Sequence, residues 1–462
     1  MPPMNRQQFF RILALIVLPN ALFLGLAWWT NTARPLINVD YCLAIAFMLL
    51  PYKICRMVGA IVLLAALLFD ALMFTVQIFP FMDLAAIRYL LPFLSIAPTR
   101  YLLLILLLFL CMCLVIWSML RLSKKQSLLY SLSAMTLITL FSVYTLNFKY
   151  ATFNGGILGR NNYYLGHSQA YLFGQLNQNG FSDFMNTAPK LTQSPPQQQR
   201  AINQLSNPTP PKILFIISES WGTPRTKEAK QVMLAKIHQQ KNHLQFIDDG
   251  NFDFNGATVA GELRELCHLS IENGYALRTV DQHQFSNCLP NQLQQQGYKT
   301  IALHGTSGRL YDRYDWWAKA GFQESLFGEN LMQLKHCTAF KGVCDSELNN
   351  VIAQKFSENK NNKLFFYWLT LTSHAPYSTK DINGPNRFNC AFFKMDTDGD
   401  ICRNAQLQTQ FLDDLAKLIG RPEMSGVEVI VVGDHMPPLF GTEDIHPHLR
   451  WQSVSWLHFK IK

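Results

Sequence analysis

Five stretches within the first 150 residues are apolar enough to be read as membrane crossings, and this divides the chain before anything else is considered. They cover residues 9–29, 36–52, 57–79, 101–120 and 128–146, the second being the shortest on apolar content. With the N-terminus in the cytoplasm, Arg6, Arg11, Lys53, Arg56, Arg121, Lys124 and Lys125 fall inside, against Arg34, Arg88 and Arg100 in the first two outer loops. That bias follows the positive-inside rule, and an odd number of spans carries everything after residue 146 outside. A cleaved secretory signal is the competing reading of residues 9–29. The stretch is longer than a signal core, lacks a small-residue cleavage site and is followed by further spans. Asp70 sits inside the third span, where a carboxylate is a functional candidate, and helix packing or a lipid-headgroup contact is the plainer alternative.

Apolar residues make up 49% of the 462, charged residues only 15%, but the excess is confined to the first third. The net charge of +9 comes without a Lys/Arg stripe in the second half, which argues against nucleic acid as a partner. Residues 149–176 carry Tyr163, Tyr164, Tyr171 and Phe173 among Gly and Asn, as expected of a helix lying at a membrane interface. Residues 186–211, rich in Pro and Gln, read as a linker. The expected division is a membrane domain over 1–148, an interfacial helix and linker over 149–211, and an outer domain over 212–462.

In the outer part, apolar runs at 213–217, 299–303, 364–371 and 427–432 alternate with helical patterns at 228–238, 289–296 and 404–419. Strand and helix in alternation predict an α/β domain around a central, largely parallel sheet. Six cysteines lie here: Cys267, Cys288, Cys337, Cys344, Cys390 and Cys402. An even number in an oxidising compartment predicts three disulfides, and pairing neighbours in sequence closes three modest loops among the fifteen connectivities open to six cysteines. A zinc ribbon competes poorly, since no C-x-x-C occurs among them.

Two apolar runs end in metal-ligand chemistry. The first stops at Glu219, where Gly222 and Pro224 turn the chain; the last stops at Gly433-Asp434-His435. Thr258 precedes a helix-forming stretch, so its hydroxyl would face out of a helix N-terminus, a place that favours anions. Glu219, Thr258, Asp434 and His435 together would offer three oxygens and one nitrogen, a set suited to zinc or manganese. A threonine hydroxyl is a weak nucleophile at neutral pH, and a divalent cation beside it supplies the missing activation. The run Asp396-Thr-Asp398-Gly-Asp400 has the spacing of a calcium loop but puts Ile401 and Leu407 where Gly and Glu are required, so it reads as an ordinary loop.

The order of these motifs, with Leu303-His304-Gly305, Tyr311-Asp312-Arg313 and Thr372-Ser373-His374-Ala375-Pro376-Tyr377 between them, resembles the sulfatase-like phosphoethanolamine and phosphoglycerol transferases of the alkaline phosphatase superfamily. Lipoteichoic acid synthase and lipid A phosphoethanolamine transferase are members of that group. The resemblance spans the outer domain and includes the architecture of five spans ahead of one catalytic domain. It implies Glu219, Thr258, Asp434 and His435 as metal ligands, Thr258 as a nucleophile that becomes phosphorylated, His304 and His374 as histidines beside it, and Arg313 as a phosphate-gripping arginine. Tyr311 stands where the lipoteichoic acid synthases have tryptophan, a departure at the headgroup site; His446 or His448 would match a further substrate histidine.

The resemblance further implies a bacterial inner-membrane enzyme with its catalytic domain in the periplasm or outside. Its donor would be phosphatidylethanolamine or phosphatidylglycerol and its acceptor a surface glycan or lipid. A metal-dependent phosphodiesterase or phosphatase that hands the group to water is the nearest alternative; a non-catalytic membrane sensor or assembly protein is the distant one. Sulfate-ester hydrolysis by formylglycine is disfavoured, because Val-Ala-Gly-Glu follows Thr258 where x-Pro-x-Arg would be needed.

Overall fold

The computed structural model describes residues 6–30, 37–38, 40–78, 99–124, 129–130, 132–134, 136–137, 165–166, 189–272, 275–384, 386–439 and 447–462. They belong to two compact units, one from the N-terminal part of the chain and one from residue 185 onward. The first contains α1 (Arg6–Thr30), α2 (Asp40–Leu49), α3 (Lys53–Ile78) and α4 (Thr99–Ser123). Within these, Arg6–Ala27, Lys53–Leu72 and Tyr101–Ser123 are long and apolar enough to cross a membrane. On α4, Leu103, Leu106, Leu107, Leu110 and Leu114 are all more than half exposed, an arrangement costly in water and natural against lipid.

Three of the five expected spans are found among the described residues. Where residues 36–52 were expected to cross, α2 has ten residues, about 15 Å of helix, half of what the hydrocarbon requires. It instead buries Tyr41, Ala44, Ile45 and Met48 inside the unit. Residues 128–146 and 149–176 lie mostly outside the described residues. Asp70 finds its partners locally: it accepts from Tyr41 Oη at 2.5 Å and from Asn38 Nδ2 at 3.2 Å, while the Asn38 N–H donates to Asn20 Oδ1. Helix packing therefore accounts for a carboxylate that would be costly alone in lipid.

In the outer unit the four expected strands form, as β2 (Lys212–Ser218), β6 (Lys299–His304), β8 (Leu364–Leu369) and β9 (Glu428–Gly433), with β1 (Lys190–Gln193), β3 (Gly222–Pro224), β4 (Leu244–Asp253), β5 (Leu269–Glu272), β7 (Glu324–Leu326) and β10 (Leu449–Ile461) beside them. The main sheet runs β3-β10-β9-β2-β8-β6-β7, with β4 also paired to β10. Its centre is parallel, but β10 is antiparallel to β9, β3 and β4. The sheet is thus mixed where a largely parallel one was expected. In β4 half of the side chains are exposed and three are aspartate, so it carries little apolar signal; it pairs along most of β10 all the same.

Alternate residues of β2 enter opposite cores. Leu214 and Ile216 pack with α5 (Lys227–Gln239), α9 (Asp345–Glu358) and α10 (Asp400–Ile419). Ile213, Phe215 and Ile217 pack with α6 (Thr258–Cys267), α7 (Leu289–Gln295) and α8 (Arg313–Ala320). Both faces are covered, which is why the central strands read as unbroken apolar runs.

The end of the expected linker is built into this unit. β1 pairs antiparallel with β5, and the turn at Ala201–Gln204 has the N–H groups of Ala201 and Ile202 held by the buried Glu265 carboxylate. Disulfides join Cys267 to Cys288, Cys337 to Cys344 and Cys390 to Cys402, the sequence-adjacent pairing.

Candidate active site

Register places the chemistry. Leu369 of β8 lies opposite both Ile217 of β2 and His304 of β6, and Gly433 of β9 lies opposite Ser218. Four adjacent parallel strands therefore end level, and Glu219, His304, the 370–374 segment and Asp434-His435 emerge along one carboxyl edge, where open α/β sheets hold ligands. Thr258 reaches the same edge from the first position of α6. That helix comes close because residue 261 is glycine: a Cβ there would sit 3.0 Å from the Asp434 Cα.

Glu219, Asp434 and His435 are buried, and one ligand atom from each lies within 4.8 Å of the others. Thr258 Oγ1 donates to Glu219 Oε2 at 3.3 Å and lies 3.5 Å from His435 Nε2. His435 Nδ1 is 2.9 Å from the Met436 carbonyl, which can only accept; Nδ1 therefore carries the proton, and in the neutral ring Nε2 is the acceptor that faces the cluster, 3.4 Å from Asp434 Oδ2 and 3.5 Å from Glu219 Oε1. Asp434 Oδ1 accepts the N–H groups of Ser220 and His435, whereas its buried Oδ2 has no hydrogen-bond partner. Three oxygens, one of them a buried carboxylate oxygen without a hydrogen bond, and an imidazole nitrogen together form a candidate donor set of the kind that suits zinc or manganese.

Residues not singled out from the sequence hold these groups in place. Thr370 Oγ1 accepts the Glu219 N–H, Ser220 Oγ donates to Glu219 Oε1, and the Glu219 carbonyl accepts from Ser373 Oγ and Gln408 Nε2. Ser220 takes a left-handed conformation, φ 56°, to turn its N–H onto Asp434. Arg264 is fully buried, donating to the Gly433 carbonyl and stacking 4.0 Å over the Phe254 ring. The hydroxyl and amide residues flanking the strand ends are the only sequence signal for this shell, and such residues are common in any loop.

Burial, and then the charge of Glu219, pushes Asp434 up to about 7. His435 is raised despite burial, because Asp434 and Glu219 favour its charged form. The other two histidines go down. His304, held through Nδ1 by the Leu369 carbonyl at 3.1 Å, falls well below 6.5 through burial and the nearby Arg313; His374, with Nδ1 2.5 Å from the Ala375 carbonyl, falls to about 4, mainly through burial. Both are neutral at pH 7 with Nε2 as a free acceptor.

Arg313 is placed differently from the expected phosphate grip. Its Nε and Nη2 donate to Glu262 Oε2 at 3.0 and 2.8 Å, and Trp317 Nε1 and Tyr367 Oη donate to the other oxygen of the same carboxylate. Only Nη1 remains, on a 3.4 Å contact with the Leu310 carbonyl, so a two-pronged grip on phosphate would require breaking the Glu262 pair. Tyr311 and Asp312 just before it are consecutive left-handed residues, φ 58° and 52°, a strain concentrated at one corner of the site. Tyr311 is nearly buried, its phenol held neutral by burial. His448 stands half-buried at the start of β10, its carbonyl accepting from the Arg225 N–H; His446 lies outside the described residues.

Glu219→Ala, Asp434→Ala and His435→Ala should each cost at least about tenfold in divalent-metal affinity, the loss of one ligand from a small set. Affinity should also fall by about tenfold per pH unit below the Asp434 pKa of about 7, because a proton must leave that carboxyl before it can ligate. Equilibrium dialysis with zinc and manganese measures both, and a full equivalent of metal retained by all three variants would rule the site out.

A family model described as sulfatase matches residues 211–453. Comparison with curated protein sequences returns no match. Among solved structures, the chain is similar to a protein in the alkaline phosphatase superfamily from Vibrio parahaemolyticus, at 17% identity over 54% of this chain and 60% of that one, with a TM-score of 0.41. It is also similar to the lipoteichoic acid synthase LtaP from Listeria monocytogenes, at 14% identity over 56% of this chain and 69% of that one, with a TM-score of 0.39. The phosphoglycerol transferase GacH from Streptococcus pyogenes, in complex with sn-glycerol-1-phosphate, gives 15% identity over 57% and 69% with a TM-score of 0.39. This chain spans 60% of the length of the first of these proteins. With more than half of its residues matched by the family model, the chain belongs to the sulfatase family.

Proposed function

We propose that the protein is a membrane-anchored, metal-dependent transferase that moves a phosphoethanolamine or phosphoglycerol group from a phospholipid to a surface glycan or lipid through phospho-Thr258. The observation that carries this reading is the Thr258 hydroxyl at the start of α6, within reach of both Glu219 and His435. Family membership alone would allow sulfate esters. Thr258 stands where a formylglycine precursor would need Cys or Ser, and the following Val-Ala-Gly-Glu lacks its Pro and Arg.

Glu219, Thr258, Asp434 and His435 would hold zinc or manganese, which when bound lowers the pKa of the threonine hydroxyl and neutralises a phosphate oxygen. Thr258 Oγ1 forms a bond to the donor phosphorus as the bond to the diacylglycerol oxygen breaks, and the proton lost by Thr258 ends on that oxygen. The N-terminus of α6 favours the phosphate charge held there. In the second half the acceptor oxygen displaces Thr258 Oγ1; the acceptor's proton passes to Nε2 of His374 and from there to the departing Thr258 oxygen, which restores both groups. A neutral histidine suits taking a proton better than giving one. His304 offers a second acceptor, and Tyr311 and His448 remain candidates for reading the headgroup. Transfer to water by the same residues would make the protein a phosphodiesterase, and the cluster leaves little room for a purely structural sensor.

Incubating the purified full chain with phosphatidylethanolamine or phosphatidylglycerol and measuring intact mass should show a single adduct on Thr258 whose mass names the headgroup. Turnover with either lipid and no adduct on Thr258, even after rapid quenching, would exclude the two-step route.

A further inference from the structure

The segment from His336 to Cys344 has no part in the reaction as described, yet it packs against His374 and against the residue after His304. It is a short hairpin closed at its base by the Cys337–Cys344 disulfide and by an antiparallel bridge between His336 and Val343. The Val343 N–H donates at 2.7 Å to the carbonyl of Gly305, the residue after His304. Gly342 is jammed against the same strand ends: a Cβ there would come within 2.3 Å of the Leu371 side chain and 2.8 Å of the Gly305 carbonyl. Asp345, immediately after the disulfide, accepts the N–H groups of Leu371 and Thr372, so the base of the hairpin is tied to the segment leading into His374. On the other side Thr338 is bonded to the Asp381 carboxylate.

So rigid a base has a strained tip. Phe340 and Lys341 are consecutive non-glycine residues in the left-handed region, φ 48° and 51°, a conformation that costs on the order of 1–3 kcal/mol per residue and persists only where its surroundings impose it. The outcome of that strain is the placement of one ring: Phe340 meets His374 at 4.6 Å between centroids, inclined by 65°. Its edge-to-face contact and the Ala375 carbonyl on Nδ1 together restrict the imidazole.

We propose that the disulfide-closed hairpin is the positioning element for His374, with Phe340 as its contact, fixing the direction in which Nε2 faces the phosphate. The proposal rests on the reading of His374 as a group that touches substrate. Phe340 itself is a positioning residue. Its removal leaves the metal ligands untouched and frees a ring whose misplacement by an ångström is enough to slow the reaction.

The test is a double-mutant cycle in the full chain, followed by turnover of short-chain phosphatidylethanolamine and phosphatidylglycerol. Phe340→Ala should lower kcat on the order of tenfold, with metal content and the Cys337–Cys344 bond retained. In a His374→Ala background the same change should alter kcat by less than about twofold, because the ring it positions is gone. Phe340→Leu, which keeps apolar volume without an aromatic face, should follow alanine, while Phe340→Tyr should restore kcat to within about twofold of the parent. If His374→Ala is impaired and Phe340→Ala lowers kcat equally in both backgrounds, the hairpin merely supports the fold and the proposal falls alone. If His374→Ala turns over normally, the role of His374 falls and takes the proposal with it.

Discussion

Thr258→Ala is expected to lose group transfer by on the order of 10⁴-fold or more while keeping its metal, since removing a covalent nucleophile removes the whole two-step route. Three of the four donors, Glu219, Asp434 and His435, remain within 4.8 Å of one another in that variant, so metal content should survive. Thr258→Ser should retain a measurable fraction, because a primary hydroxyl at the first position of α6 can occupy the same place between Glu219 Oε2 and His435 Nε2. Parent kinetics should be ping-pong, with the donor's diacylglycerol released before the acceptor binds. The comparison to make is initial rate against metal content for the three proteins side by side. Near-normal transfer by Thr258→Ala would mean that the acceptor attacks the donor directly and that Thr258 only begins a helix.

Glu262→Ala should destabilise the outer unit by about 3–5 kcal/mol, the usual consequence of stripping one partner from a fully buried ion pair. The carboxylate accepts from Arg313 twice and once each from Trp317 and Tyr367, and both Glu262 and Arg313 are at most 1% exposed. Alanine there leaves Nε and Nη2 of Arg313, an indole N–H and a phenol in the core without the acceptor they shared. For a unit of this size the loss corresponds to a fall in Tm on the order of 10 °C. Arg313→Ala should act in the same direction, and the double variant should be less destabilised than the sum of the two, because the pair is lost once. Thermal unfolding of the full chain in detergent reports this directly. A fall below about 1 kcal/mol in Arg313→Ala would mean that the guanidinium is not committed to Glu262, restoring it as a two-pronged phosphate ligand.

Much of the site was legible because its residues are marked by position as well as type. Glu219, His304 and Asp434-His435 each end an unbroken apolar run, and in a parallel sheet such ends share one edge. Cysteine pairing was legible too, since loops closed between neighbours in sequence matched the three bonds formed. The mixed character of the sheet was not. The exposed, acidic β4 carries no apolar periodicity, and β10, though it alternates, can reveal its antiparallel direction only by lying beside β9.

Residue type and local order thus determined on their own that the chain has an apolar N-terminal part, an α/β outer unit and a cluster of acidic and histidine side chains at strand ends that could hold a metal. Those properties depend on periodicity and punctuation within a few residues. Whether a charged residue faces substrate or core depends instead on groups far away in the chain. Arg313 meets a carboxylate 51 residues earlier, so its commitment to Glu262 was decided only when α6 and α8 packed on the same face of the sheet. The same holds for Phe340, whose contact with His374 exists because a disulfide, a glycine and a strand end all press one hairpin onto one edge.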